Sequence, residues 1–339
     1  MIETKNVKKR ANNLSIYRLI ATICVLQFHL FFILYNRAIP YEMLLSKGVQ
    51  GLTALSGFLY AQKIIKDYKG FYLGNLKKIV VPALVCFTIM AIWNLVYMLI
   101  FQNWNYISLF TDHRLYNNSL LIQPGNYYYI AYIFLCYLVT PVLQRNDKWS
   151  LLVVIGTLLI ELTVGFFFGP AIIATSYIVG YYIGRKCYKQ LTDVEEKFSI
   201  WQLLIWLATT VGSIGLYIIF TEFPFGENYF LTHLNSLARN VVMTTFGIFS
   251  FFLIVHALRW TNKFSTIKPL IFTDKLSLII YLFNQAFMCG AMNVAIWVEP
   301  MWAKTLLVYV FTIVISIAAH FVSTLFLKPR QNKESLKQA

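Results

Sequence analysis

The sequence predicts an all-α integral membrane protein, a polytopic bundle of about ten transmembrane helices with both termini cytoplasmic. Three observations carry this. Of 339 residues, 58% are hydrophobic and only 13% are charged. Apolar runs near 20 residues, the length that crosses a bilayer core, recur along the whole chain. The basic residues then gather in every second connection between those runs, as the positive-inside rule requires.

The runs are taken in order. The first, 15–35 (SIYRLIATICVLQFHLFFILY), carries Arg18 and has no small-residue cleavage site, so it is expected to be a retained helix and not a removable signal peptide. The second, 48–64, opens with the small-residue stretch GVQGLTALSGFL, whose Gly51, Ser56 and Gly57 suit close helix approach or a backbone turn beside a ligand. The third, 79–101, starts with Val80, Val81 and Pro82, and proline is expected in its first turn, where the missing donor costs little. The runs 127–144, 149–166 and 170–184 follow, the fifth enclosing Glu161. The last four are 199–220, 239–257, 276–297 and 302–326. All connections are short. The longer ones, 102–126 and 221–238, are rich in aromatics, Asn and Gly and read as outer rims. Residues 1–339 therefore form a single membrane domain, with a basic cytoplasmic N-terminus (1–14) and a basic cytoplasmic tail (328–339).

The net charge of +15 raises the question of a nucleic-acid partner. Position argues against one. Segments 1–14, 62–78, 145–148, 185–197, 259–275 and 328–339 hold 23 of the 29 Lys and Arg residues. The opposite segments hold Arg37, Lys47, Arg114, Arg239 and Lys304, and Arg18 lies within the first run. Topology and attraction to anionic membrane lipid account for this pattern, so no nucleic acid is expected. Cys24, Cys86, Cys136, Cys187 and Cys289 are odd in number and widely spaced, which gives neither a metal site nor a disulfide framework.

Chemistry is expected where ionisable groups enter the apolar runs. Arg18 and His29 are eleven positions apart, which on a helix is a rise of roughly 16 Å and a return to within about 20° of the same direction. Both therefore look the same way. Charged and titratable groups at membrane depth normally face a protein interior or a watery path. His29 is the candidate general base, since neutral imidazole accepts a hydroxyl proton near physiological pH. Arg18, near the cytoplasmic end of its helix, is the candidate binder of phosphate oxygens, against the alternative of an interfacial anchor. Lys77 and Lys78 add a basic patch before the third run and serve as candidate phosphate contacts or as topology determinants. Glu161 either orients an acceptor or tunes His29, or is a satisfied interior carboxyl, the favoured reading. Asp112, His113 and Arg114 form an outer cluster read as solvated, and Tyr127, Tyr128 and Tyr129 fit an aromatic belt or a sugar-stacking rim. His233 falls in an outer loop, and neither His256 nor His320 has an evident charged partner in the sequence.

These residues resemble membrane-bound acyltransferase family 3. Arg18 and His29 match its R-x10-H pattern, and weaker motifs follow in order. Residues 48–59 are similar to its "FF-x-x-SG-[FY]-L" segment, with Leu52 and Thr53 at the paired aromatic positions. Phe71 to Pro82 (FYLGNLKKIVVP) resembles its basic approach to the third helix, where Asn75 and Lys78 occupy the positions of an R-x-x-R pair. Asn126 to Leu143 looks like its "W-Y-L … Y-L-x-x-P" helix, and Ser277 to Gln285 (SLIIYLFNQ) its late "S-x-x-x-Y-L-x-H" segment, Asn284 standing at the histidine position.

The resemblance spans nearly the whole chain and implies a membrane O-acyltransferase, a transferase of groups other than aminoacyl groups. Its donor would be cytosolic acyl-CoA, typically acetyl-CoA, bound by Lys77 and Lys78 with Arg18. Its acceptor would be a hydroxyl of a cell-surface polysaccharide or its lipid-linked precursor in the bacterial cell envelope, with polysaccharide assembly proteins as candidate partners and no metal. His29 and Arg18 would be the catalytic pair. The alternative is an exporter or flippase of a lipid-linked saccharide, which a polar-lined helical bundle also suits. A third reading is a non-catalytic partner in polysaccharide assembly.

Overall fold

The computed structural model describes residues 11–34, 42–102, 128–145, 149–168, 172–226, 228–265, 267–288 and 292–327. Each apolar run contains a helix. In chain order these are α1 (Asn12–His29), α2 (Glu42–Ser46), α3 (Gly48–Tyr60), α4 (Tyr68–Phe101), α5 (Tyr128–Arg145), α6 (Ser150–Phe168), α7 (Ala174–Thr192), α8 (Ile200–Glu222), α9 (Tyr229–Ala257), α10 (Lys268–Phe283) and α11 (Met301–Leu327). No strand occurs among the described residues, so the protein is all-α there. Among the described residues, five segments are long and apolar enough to cross a membrane: Asn12–Leu34, Tyr68–Tyr97, Ile200–Glu222, Tyr229–Ala257 and Met301–Leu327. Tyr129–Arg145 and Leu151–Phe166 are shorter apolar helices.

Three boundaries depart furthest from the hydropathy reading. Helix α4 begins at Tyr68, so Lys77 and Lys78 sit within the helix and Pro82 is internal to it, not in a first turn. Proline there leaves one carbonyl of the preceding turn without its helical donor. Helix α9 begins at Tyr229, because the Asn228 side chain caps it by accepting from the Leu231 N–H at 2.8 Å. His233, Arg239 and most of the expected 221–238 rim are thus helical. Helix α10 stops at Phe283, and the remainder of run 276–297 continues through turns to a 3-10 helix at Val294–Trp297. Asp112, His113, Arg114, Tyr127, Cys289 and most of both basic termini lie outside the described residues.

The chain divides into two compact units, Met1–Tyr68 with Tyr128–Ser277, and Lys69–Tyr127 with Leu278–Ala339. In the first, α1, α3, α7, α8 and α9 share one core, in which Tyr17, Ala54, Phe58, Leu191, Trp206, Phe251 and Phe252 are buried. Aromatic rings interlock across it: Tyr17 and Phe251 have centroids 4.7 Å apart, and Trp206 and Phe252 5.2 Å. Helices α3 and α7 touch backbone to backbone. A Cβ at Gly57 would collide with the Tyr177 carbonyl, and one at Gly180 with the Ala54 carbonyl. The small residues of run 48–64 are therefore spent on helix packing, the usual solution where lipid gives helices no hydrophobic reason to associate.

Glu161 is the satisfied carboxyl. Its Oε1 accepts from the N–H groups of Ile173 and Ala174 at 2.8 and 2.7 Å, and its Oε2 from Thr175 at 2.9 Å. Those donors open α7, whose N-cap residue Ile173 has no capping side chain. A buried carboxylate at the positive end of a helix dipole replaces that cap.

Candidate functional site

The site begins with two asparagines at the base of α1. The first N–H groups of a helix lack intrahelical partners, and Ala11 at the N-cap supplies no side-chain acceptor. Asn262 does so instead, its Oδ1 accepting from the Asn13 N–H at 3.0 Å. Asn13 is fully buried and donates through Nδ2 to the carbonyls of Leu191 (2.8 Å) and Val255 (2.9 Å). Asn12 donates to the carbonyls of Thr261 and Ser265 at 3.1 and 3.2 Å. Orphan carbonyls at the ends of α7 and α9, and of the 3-10 turn Arg259–Lys263, thus hold α1 at one height and rotation.

That fixed helix presents Arg18 to Asp274. The guanidinium Nη1 lies 3.3 Å from Asp274 Oδ1, and Ser15 donates to Asp274 Oδ2 at 2.6 Å. The Asp274 side chain is 3% exposed and that of Arg18 is 21% exposed. One edge of the guanidinium is therefore held while the side chain still reaches a cavity of about 1160 Å³. Arg18, Lys189 and Lys263 line this cavity together with Asp193, Glu195 and Glu196. Asp274→Ala is expected to lower stability by about 1–3 kcal/mol, less than a fully buried pair would because Arg18 keeps solvent contact. Arg18→Met with Asp274→Leu should recover most of that loss in thermal unfolding.

His29 closes α1 at its other end, where the backbone widens into a π-helical turn, Leu30–Leu34. Such turns re-aim side chains and recur at functional sites. The imidazole is partly buried and meets Phe28 edge-on, with centroids 5.1 Å apart. Between the two ionisable residues the same face carries the buried Thr22 and Val25. His29 does not line the Arg18 cavity, so the structure gives the pair one shared helix face and not one shared pocket. Lys77 and Lys78 are exposed on α4, in the second unit, whereas the cavity is formed entirely within the first. Among the described residues, no cluster of three or more His, Cys, Asp or Glu side chains is placed to hold a metal ion.

A family model spans the elements that build this site. The acyltransferase family 3 model, described as an acyltransferase domain, matches residues 12–321. The chain belongs to acyltransferase family 3. No curated protein and no solved structure matches it. The family match begins at Asn12, the first of the clamping asparagines, and ends within α11, so it takes in α1 with both Arg18 and His29 and every later helix up to Phe321. Membership makes this family 3 protein a membrane acyltransferase.

Sequence reasoning passed over Asn12, Asn13, Ser15 and Asp274. An Asn-Asn pair at the threshold of an apolar run was a visible helix-start signal. Asp274 lies only three residues before the motif segment that begins at Ser277, but its partner Arg18 is 256 positions away.

Proposed function

We propose that this family 3 protein is a membrane O-acyltransferase that moves an acetyl group from cytosolic acetyl-CoA to a hydroxyl of a cell-surface polysaccharide or its lipid-linked precursor. The observation that carries this reading is Arg18, fixed by Asp274 and Ser15 on the wall of a cavity of about 1160 Å³ and set on the helix face that leads to His29. In this reading the chain crosses the bacterial cytoplasmic membrane about ten times, with both termini inside and the Arg18 cavity open to the cytosol. The free edge of the guanidinium, with Lys189 and Lys263, receives coenzyme A phosphates, and Lys77 and Lys78 on α4 are a second phosphate contact. The pantetheine arm runs along α1 toward His29, roughly 16 Å further along the helix. There the imidazole takes the proton of the acceptor hydroxyl as its oxygen attacks the thioester carbonyl. Membrane lipid surrounds the bundle, and polysaccharide assembly proteins are the proposed partners.

The test is mass spectrometry of envelope glycans, with mild alkali to identify esters, from cells carrying wild-type protein, His29→Ala or none. One ester should be present with wild type and missing from the other two. If removal of the protein changes glycan export and leaves every ester in place, the protein moves saccharides and the acyl-transfer reading fails.

A further inference from the structure

The Tyr229 half of α9 carries an apolar groove that the Arg18 cavity and His29 do not use. Helix α6 supplies Leu162 and Phe166 to its wall, and α9 supplies Phe230, Leu234, Ala238 and Val241, around a volume of about 500 Å³. The groove lies on a membrane-spanning part of the surface. Helix α9 is one of the segments long and apolar enough to cross a bilayer, and beside the groove Ile160 is 65% and Phe230 59% exposed. Thr163, the polar residue of the wall, spends its hydroxyl on the Leu159 carbonyl at 2.8 Å. Hydrocarbon is what fills such a surface in a bilayer. Phe230 and Val241 are eleven positions apart, a rise of roughly 16 Å, which is the depth of one leaflet in a hydrocarbon core of about 30 Å. About 500 Å³ over that length is a channel of roughly 30 Å² in cross-section, room for one extended chain.

A polar group stands at the Phe230 end. The ring of His233 packs on Phe166, a wall residue, with centroids 5.6 Å apart, and on Tyr229 at 4.2 Å. Its nitrogens engage no hydrogen-bond partner among the described residues. An imidazole N–H steadied by two aromatic rings is thus available to an oxygen at the mouth of the groove. That mouth lies toward the same end of the bundle as His29. Asn13 of α1 donates to the Val255 carbonyl of α9 at 2.9 Å, and one turn further along α1 the Tyr17 ring meets Phe251, one turn back along α9. The two helices therefore run antiparallel, α1 leading from this contact to His29 and α9 to Phe230.

We infer that the α6–α9 groove binds the single hydrocarbon chain of a lipid-linked saccharide phosphate, with a phosphate oxygen accepting from the His233 imidazole and the saccharide held toward the His29 end of the bundle. This rests on the acyl-transfer reading above and narrows its acceptor to the lipid-linked precursor. A finished polysaccharide has no chain to place in the groove, and a phospholipid carries two on one glycerol. A lipid chain gains no hydrophobic free energy by leaving other lipid, so close packing along α6 and α9 and the phosphate bond to His233 supply the preference.

The experiment uses full-length protein in phosphatidylcholine vesicles with a long-chain prenyl phosphate that bears a diazirine on its chain, and maps the crosslinked residues by mass spectrometry. Labels should fall on α6 and α9 along the groove and be competed by unlabelled prenyl phosphate, not by the same amount of phosphatidylglycerol. Ala238→Trp fills the groove and should lower labelling about tenfold. Should that variant not fold, Leu234→Trp, at a more exposed position, takes its place with the same criterion. His233→Phe keeps the ring packing and removes the donor, so it should weaken labelling by the prenyl phosphate and leave labelling by the matching prenyl alcohol unchanged. Wild-type labelling in the folded tryptophan variant overturns the inference, as does equal competition by phosphatidylglycerol, which would make the groove a phospholipid site. Labelling does not depend on catalysis. Groove labelling in a wild-type protein that forms no ester with acetyl-CoA would sink the acyl-transfer reading and leave the lipid phosphate site standing, which separates the two.

Discussion

His29→Ala should cut acyl transfer by about 10²- to 10⁴-fold, the range general-base catalysis contributes, with the amount of folded protein in the membrane unchanged. The imidazole sits where α1 passes into the π-helical turn Leu30–Leu34, and its ring meets Phe28 outside the core cluster around Tyr17 and Phe58. Truncation therefore leaves the packing of that core cluster intact. Donor binding should survive, because Arg18 stands roughly 16 Å away and is held by Asp274 and Ser15 independently of His29. Added imidazole should restore part of the rate to the alanine variant by supplying the missing base. The measurement is ester formation per folded protein across donor concentration. A rate within threefold of wild type in folded His29→Ala would remove the histidine from the reaction.

Gly180→Leu is the substitution expected to abolish folding. The Cβ alone meets the Ala54 backbone on α3, which, unlike a side chain, has no rotamer in which to escape. Relief requires α3 and α7 to separate, and the reciprocal contact of Gly57 on the Tyr177 carbonyl would open with them. Phe58 and Leu191 on these two helices, with Phe251 and Phe252 from α9, would lose their packing in the same movement. The expected loss exceeds about 4 kcal/mol, the magnitude reserved for backbone and core disruption. Size-exclusion profiles and thermal unfolding of purified protein report it. Gly212→Ala is the control. Its Cβ meets nothing within 4 Å, so the helix-propensity gain of about 0.5–1 kcal/mol should leave the protein equally or more stable. A well-folded Gly180→Leu protein would show that the α3–α7 contact does not govern the fold.

The helices were legible because hydropathy over 20 residues measures transfer into hydrocarbon, and every apolar run does contain one. Their ends were less legible for the same reason. Helix α4 runs back to Tyr68 through Lys69, Lys77 and Lys78, and α9 back to Tyr229 through His233 and Arg239. Polar residues continue a helix beyond the apolar stretch at little cost, since the backbone hydrogen bonds stay within the helix. Helix α10 erred the other way, its chain leaving helical form at Phe283 although apolar residues continue.

The sequence by itself determined the all-α membrane class, the family and the shared face of Arg18 and His29, because all three depend on local periodicity and order along the chain. The tertiary structure alone decided what surrounds that face. Asn13 reaches Val255, Arg18 reaches Asp274 and Glu161 turns to the start of α7, and only the last of these lies nearby in sequence. Lys47 shows the difference most plainly: its charge places it outside by topology, while the helix that follows it packs its first residue, Gly48, against Ala21 and Val25 of α1. Spacing specifies direction on one helix, but depth and partnership arise when separate helices pack, and a one-dimensional pattern does not contain that distance.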